Sequence, residues 1–389
     1  MLLYTFILIL LSFGVYHFDY RKNILLKSTF YFFVFIVSTL MMGLRYRVGG
    51  DALVYEGMYH YLPNLNNISN YIRNFHNTNN FQPGYLYFVA VCKSIEPDYY
   101  FYQFIHSIIF NSIYFWFIKK NSKVPFTSLF ISYIFLVYFY FGFEIQREMF
   151  CICCFLLSYN YFLNNKWLPY YIICSFAIVF HISAIFLLFL PFFKIINFST
   201  RLIWFSLILS VPILLSKLIF IDLIKVFLIT ESMKTKGEMY SEIEFSVFGI
   251  LFFYFTRVIV FVPFLIYYSK NKIFEKRYDW LFISIFWLSI FSQVMVGFDR
   301  LINYLYIPLV LFFADFLHNK QYVFTNFLGR KMVNLSCYLF LFSIIWIKCF
   351  IANFNNKYFF YYVYFPYESV FDKVETKGRE DYIEVMWSQ

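Results

Sequence analysis

The sequence predicts an all-helical polytopic membrane protein. Three observations carry this reading: hydrophobic residues make up 61% of the chain, charged residues only 14%, and apolar runs long enough to cross a bilayer recur from Leu2 to Phe350. Strand alternation is absent, and in lipid only helices or closed barrels satisfy every backbone group, so a barrel is set aside. No stretch is large enough for a soluble domain, and residues 1–389 read as one membrane-embedded domain.

The elements follow from the runs. Full crossings are expected near 2–16, 25–42, 99–118, 125–141, 149–163, 202–221, 246–268, 279–296, 301–317 and 333–353, about ten in all. The opening "MLLYTFILILLSFGVYHF" has no basic leader and no small-residue cleavage site, which predicts a retained first helix. Two shorter runs, 168–181 and 182–193, meet at His181 and read as a bent half-helix pair that enters and leaves on one side. The stretch 85–98, "YLYFVAVCKSIEPD", is also short and reads as re-entrant or interfacial.

Charge orients this threading. Loops 17–27, 119–123, 164–167, 194–201, 269–277 and 318–332 hold 16 Lys/Arg in 52 residues, against 13 in 127 on the other side, so the first set is expected to be cytoplasmic. The termini, loop 43–84, loop 222–245 and the segment 354–389 are then external. A net charge of +10 would suit nucleic acid in a soluble protein. Here the basic residues sit in short loops where topology explains them, and no nucleic-acid partner is expected. Cys151 and Cys154 form a C-x-x-C, but no second Cys or His pair completes a zinc set, so no metal, redox role or other cofactor is expected.

Under this topology Arg45, Asp51, Glu144, Arg147, His181, Asp299 and Arg300, from distant parts of the chain, all fall at external helix ends and are expected to converge. Charges at helix ends are often merely solvated or snorkelling. "FEIQREMF" and "VGFDRLINY", however, are flanked by apolar sequence on both sides. Arginine offers a permanently charged fork of donors suited to phosphate or diphosphate, which singles out Arg45, Arg147, Arg257 and Arg300. Arg257 lies inside an apolar helix, where either a ligand anion or an ion pair must compensate it. Asp51 follows Gly49 and Gly50, which allow close backbone approach. It reads as a base, an arginine partner, or a helix N-cap. His181 in "VFHISAIF" reads as a proton-transfer group or as a packed hydrogen-bonding residue. Tyr and Phe number 96, so position alone marks few of them; Tyr55, Tyr85, Tyr304, Tyr364 and Tyr367 lie near the charged clusters and suit sugar rings.

"GLRYRVGGDALVY", "FQPGYLYF", "IQREMF", "FHISAIF", "DRLINYLYIPLV" and "YFPYESV", in that order along nearly the whole chain, resemble the EpsG branch of Wzy-type polysaccharide polymerases. Gly50 departs from the resemblance, which leads one to expect a small polar residue there. The resemblance implies an enzyme of the bacterial cytoplasmic membrane with its site facing the periplasm or cell exterior. It would join oligosaccharide repeat units carried on undecaprenyl diphosphate into O-antigen, capsule or exopolysaccharide, releasing undecaprenyl diphosphate. Membrane lipid, a flippase and a chain-length regulator are the implied partners.

By the same resemblance Arg45, Asp51, Arg147, His181, Arg300 and Tyr304 are the matching positions. Asp51, His181, Arg147 and Arg300 are expected to be catalytic. Substrate binding is expected of Arg45, Arg257, Gly49, Gly50, Tyr55, Tyr85, Asp299, Tyr304, Tyr364 and Tyr367. The rival classes are a flippase for the same lipid-linked glycan and a related lipid-linked glycan ligase. Only 12 glycines and no internal repeat argue against a rocking carrier.

Overall fold

The computed structural model describes residues 2–74, 81–215, 247–271, 273–294, 297–319, 327–350, 352–353 and 358–387. Over these it is helical, apart from one two-residue strand pairing. α1 (Leu2–Gly14) runs on into a π-helical turn, Val15–Tyr20, and α2 (Lys27–Gly43) ends at the GLRYRVGGD stretch. The expected loop 43–84 is itself folded, into α3 (Ala52–Tyr61), α4 (Ile68–Asn74) and the start of α5 (Pro83–Ile95). Lys93 of α5 closes α3 by donating to the carbonyls of Tyr59, His60 and Leu62 at 2.8, 2.9 and 2.6 Å. Those are carbonyls that a helix end leaves without intrahelical partners. The thirteen residues of α5 bury Tyr85, Leu86, Val89, Ala90 and Cys92 as one stripe.

α6 (Tyr99–Asn121) is capped by Asp98, whose side chain accepts from the Tyr100 amide. α7 (Pro125–Ile134) and α8 (Val137–Phe139), the latter prolonged by a π-helical turn to Glu144, meet at 81°. The run 125–141, expected as one crossing, is therefore broken. Leu136 sits at φ 60°, a left-handed conformation that interrupts the helical ladder. α9 (Gln146–Leu163) and α10 (Trp167–Ile178) follow. The chain then turns extended at His181, as the two short apolar runs predicted, and re-enters helix through Ile182–Ala184 into α11 (Ile185–Phe189).

Beyond these come α12 (Thr200–Leu215), α13 (Val247–Arg257), α14 (Val262–Asn271), α15 (Asp279–Phe291), α16 (Gly297–His318), α17 (Phe327–Ile344) and α18 (Trp346–Phe350). β1 (Ala352–Asn353) pairs antiparallel with β2 (Tyr358–Phe359), and α19 (Lys377–Trp387) closes the described chain. The expected loop 222–245 lies outside the described residues.

Among the described residues three helical stretches are long and apolar enough to cross a membrane, Leu2–Tyr20, Phe248–Asn271 and Gly297–His318, and the bent α7–α8 pair makes a fourth. This is fewer than the ten crossings read from the apolar runs. Several of those runs form helices of only 10–17 residues, against about 20 for a straight crossing. The reason is local: an apolar run does not guarantee one unbroken helix, and several runs here change helix type or are interrupted.

The chain divides into two compact units, one comprising Met1–Ile185, Val310–Asp315 and Ile345–Gln389, the other Phe186–Leu309 and Phe316–Ile344. In the first, α6 presents a buried polar ladder to its neighbours. Gln103 donates to the Gly43 and Arg45 carbonyls, both at 2.8 Å, and Tyr138 donates to Asn111 at 2.7 Å. His106 meets the Gln146 carbonyl at 3.0 Å and Tyr114 donates to Ser132 at 2.5 Å. Side chains of this kind join helices where apolar contact confers little preference over lipid.

In the second unit α12 turns Trp204, Phe205, Ile208, Leu209 and Val211 outward and buries Ser206 and Ser210. These two serines bond Trp287 at 3.0 Å and Tyr254 at 2.6 Å. An apolar exterior over a hydrogen-bonded polar interior suits lipid as the surrounding solvent.

Candidate functional site

The GLRYRVGGD stretch is a folded hinge between α2 and α3. Arg45 is fully buried. Its Nε donates to the Val48 carbonyl at 2.9 Å, Nη1 to the Met42 carbonyl and Nη2 to the Phe143 carbonyl at 3.5 Å, while the guanidinium faces the Phe143 ring at 4.8 Å. Burial pulls its pKa down from the usual arginine value. The side chain expected to meet a diphosphate thus points inward and fastens backbone carbonyls. Gly49 has the same character: at φ 124° it occupies a conformation few side chains tolerate, and a Cβ there would collide with the Phe143 carbonyl oxygen. The close approach its glycine permits is to the protein's own backbone. Gly50 is buried in the adjoining turn.

Arg47, at φ 49°, turns the other way. Its Nε donates to Glu56 at 2.9 Å and its Nη1 to Glu375 and Glu380, each at 2.9 Å. Arg379 of α19 is buried and donates to the carbonyls of Tyr362, Arg47 and Pro366. Backbone bonds complete the seam. The Tyr46 amide donates to Glu368, the Val370 amide to Leu44 and the Gly49 amide to Val363, at 2.8, 2.9 and 3.0 Å, with an antiparallel bridge between Arg45 and Ser369. The YFPYESV segment is therefore docked on GLRYRVGGD. Tyr364 and Tyr367, expected at a sugar, serve this docking: Tyr364 is buried and donates to Glu144, and Tyr367 donates to the Met41 carbonyl at 3.0 Å.

Asp51 occupies the N-cap position of α3 without a capping bond from its side chain. One turn on, the Tyr55 hydroxyl accepts from Arg147 Nε at 3.0 Å. Residues four apart share a helix face, so Asp51 and Tyr55 look the same way, and the Asp51 charge acts on Arg147. Arg147 is the second residue of α9, whose N-cap residue, Ile145, offers no capping side chain. Its guanidinium lies 4.7 Å from the centre of the Phe81 ring. Tyr85 completes the wall, 5.7 Å from Phe81 and 6.3 Å from Tyr55 between ring centres, and its hydroxyl receives a bond from Tyr102 at 3.3 Å. Among the described residues no acceptor is bonded to Nη1 or Nη2 of Arg147, which is partly exposed. A helix N-terminus and an arginine fork there make a setting for an anion.

FQPGYLYF also meets the His181 break. The Gly84 amide donates to the Val179 carbonyl at 2.9 Å, and a Cβ on Gly84 would crowd that same oxygen. His181 is buried, and its Nδ1 lies 2.6 Å from Ser183 Oγ and 3.2 Å from the Ser183 amide. Ser183 Oγ lies 3.4 Å from Oε1 of Glu148, the residue after Arg147. Glu148, Ser183 and Phe81 were not singled out in the sequence. Glu148 had one available signal, a carboxylate beside Arg147 in an apolar helix; the other two carried none.

The first unit thus holds four of the six sequence motifs whole and FHISAIF but for its last residue, Phe186. The sixth, DRLINYLYIPLV, lies in the second unit except for its last residue. There Arg257, buried, forms an ion pair with Asp299 and faces the Phe253 ring at 5.7 Å. Of the two compensations expected for Arg257, the structure supplies the ion pair. Arg300 is exposed in the first turn of α16, and Tyr304 is buried, 6.3 Å from Phe186 between ring centres.

No curated protein and no solved structure matches the chain. The EpsG family model matches residues 28–369. That range takes in five of the six motifs whole and all of YFPYESV but its last residue, so the chain belongs to the EpsG family.

Proposed function

We propose that this chain is a membrane glycosyltransferase of the polysaccharide-polymerase kind, joining oligosaccharide repeat units carried on undecaprenyl diphosphate at the outer face of the bacterial cytoplasmic membrane. Family membership supports a polymerase-like role in membrane polysaccharide synthesis. The single observation that carries the finer reading is Arg147, a guanidinium oriented by Tyr55 and Phe81 whose Nη1 and Nη2 have no bonded acceptor among the described residues.

In this reading a sugar hydroxyl of one lipid-linked unit attacks the anomeric carbon of the growing chain. The new C–O bond forms as the bond to the diphosphate breaks, and the electron pair leaves with the diphosphate. Charge grows on that leaving group, where Arg147 stabilises it. Asp51 or His181 takes the proton of the attacking hydroxyl. Tyr55, Tyr85 and Phe81 offer aromatic faces to sugar rings. Exposed Arg300 is proposed to meet lipid-linked phosphate, while Arg257 and Asp299 hold each other. The short apolar helices are proposed to complete the membrane domain as broken crossings.

The test is a reaction of the purified full chain, in lipid nanodiscs, with undecaprenyl-diphosphate-linked repeat units. A ladder of longer glycans with release of undecaprenyl diphosphate is expected, and Arg147→Ala should leave only single units. Normal chain lengths from that variant would overturn the assignment.

A further inference from the structure

Residues of α3, α5 and α9 wall the Arg147 site, and one face of α6 touches all three helices. Tyr99, Tyr102, Gln103 and His106 stand at the i, i+3, i+4 and i+7 positions of that face, each no more than 3% exposed. Toward α3, the Tyr99 and Tyr102 rings lie 5.8 and 5.6 Å from the Tyr59 ring between centres. Toward α5, Tyr102 donates to the Tyr85 hydroxyl at 3.3 Å. Toward α9, two polar contacts fall on a single residue, Gln146, the neighbour of Arg147. Its Nε2 donates to the Tyr99 hydroxyl at 2.7 Å, and its backbone carbonyl oxygen lies 3.0 Å from His106 Nε2.

The second of these bonds bears directly on Arg147. A carbonyl oxygen can only accept, so His106 donates from Nε2. That carbonyl belongs to the peptide between Gln146 and Arg147, a rigid plane whose far end carries the Arg147 amide and Cα. A donor that fixes the oxygen therefore fixes where the Arg147 side chain begins. The donor is itself held: the His106 ring stands edge-on to Phe150 at 5.3 Å and lies 5.9 Å from the Tyr102 ring.

The carbonyl does not need this bond to avoid burial without a partner, because the amide four residues on in α9 can serve it. The first turn of α9 does need an anchor. It begins at Ile145, which offers no capping side chain, and uncapped helix ends fray. Arg147 lies in that turn, tied at its tip to Tyr55. A tip held by α3 is aimed only if the backbone beneath it is held as well.

We propose that His106 is a positioning residue for Arg147: its Nε2–H, together with the Tyr99 hydroxyl on the Gln146 side chain, holds the first turn of α9 so that the Nη1/Nη2 edge meets a lipid-linked diphosphate. His106 touches no substrate and exchanges no proton in this role. The assignment rests on the reading of Arg147 as the group that meets diphosphate.

The test is binding of undecaprenyl diphosphate to the full chain in nanodiscs, followed by phosphorus-31 NMR, which needs no turnover. His106→Leu is expected to weaken binding about 10-fold. His106→Gln, which keeps an Nε2–H donor, is expected to restore it. Tyr99→Phe removes one neutral hydrogen bond and should weaken binding about 3-fold. In an Arg147→Ala background neither His106→Leu nor Tyr99→Phe should weaken it further, because both act through Arg147. A purely structural role gives the opposite result, the same loss with or without Arg147, and that result overturns the proposal. So does His106→Gln binding as weakly as His106→Leu, or wild-type affinity in both His106→Leu and Tyr99→Phe. If His106→Leu does not fold, Tyr99→Phe carries the cycle alone, and wild-type affinity in it overturns the proposal.

Turnover on undecaprenyl-diphosphate-linked repeat units separates this inference from the function on which it rests. Polymer from the wild type with unchanged diphosphate affinity in both variants removes the positioning role and leaves the polymerase reading. The expected binding cycle with no polymer from the wild type removes the polymerase reading and leaves His106 as the residue that positions Arg147. A wild type that does not bind undecaprenyl diphosphate overturns both.

Discussion

Arg147 reaches from the first turn of α9 to the Tyr55 hydroxyl on α3, with 3.0 Å between Nε and the oxygen. This bond engages Nε and so points a bidentate anion to the Nη1/Nη2 edge, which has no bonded acceptor among the described residues. Phe81 supports the plane from one face at 4.7 Å. Contrast Arg45, whose Nε, Nη1 and Nη2 all donate to backbone carbonyls. Two arginines of equal promise in the sequence have opposite employment in the fold.

From this relationship, Tyr55→Phe is expected to keep the fold and lower polymer turnover by roughly ten-fold, the effect of a lost hydrogen bond to a charged group. Arg147→Lys should do no better than Arg147→Ala, since an ammonium lacks the planar fork. Initial rates with lipid-linked repeat units check both; wild-type turnover in Tyr55→Phe would mean that this bond does not orient the guanidinium.

Arg45 predicts a different phenotype. Arg45→Ala leaves buried carbonyls without donors and should cost about 3–5 kcal/mol of stability. Arg45→Lys should recover little of it, because one ammonium cannot reach carbonyls on three sides. Thermal unfolding in detergent reads the loss, and a variant with wild-type unfolding but no activity would return Arg45 to the ligand.

Gly49→Ala combines a positive φ of 124° with a clash at the Phe143 carbonyl. It should destabilise by about 2 kcal/mol or more. The same unfolding measurement checks it; an unchanged transition would show that α8 gives way at Phe143.

The Arg47 seam predicts a graded series. The side chain of Glu375 is 60% exposed, whereas those of Glu56 and Glu380 are 18% and 22% exposed. Glu375→Ala should fall within about 0.5 kcal/mol of wild type, and Glu380→Ala should cost about 1 kcal/mol. Limited proteolysis of residues 358–387 should quicken in the order Glu375→Ala, Glu380→Ala, Arg47→Ala. Equal rates across the three would exclude the carboxylates as the fastening.

In the second unit, Asp299→Ala strands the buried Arg257 and should cost about 3–5 kcal/mol. Adding Arg257→Met should recover most of that loss, because a buried pair is often no better than apolar packing of similar volume. A double-mutant cycle on thermal unfolding measures the coupling; additive losses would mean that the two charges do not depend on each other.

The sequence by itself determined the solvent, the helical class and the short list of charged groups. Apolar runs allow no other class, and an arginine in apolar sequence must be compensated. It also located the break at His181, because two runs too short to cross must meet somewhere. It did not determine how many runs are single helices: Leu136 breaks the run 125–141 through its backbone conformation, which no residue type there announces.

Only the tertiary structure decided which arginine faces inward. Side-chain direction depends on what packs against it, and Arg45, Arg47 and Arg147 each have a partner far along the chain, 98, 328 and 92 residues away at Phe143, Glu375 and Tyr55. The roles of Tyr364 and Tyr367 changed for the same reason, since both fasten YFPYESV to distant segments, at Glu144 and at the Met41 carbonyl. Glu148, Ser183 and His181 had no common signature, because the spacing that joins them is set by α9 lying against the break after α10 and by nothing within either segment.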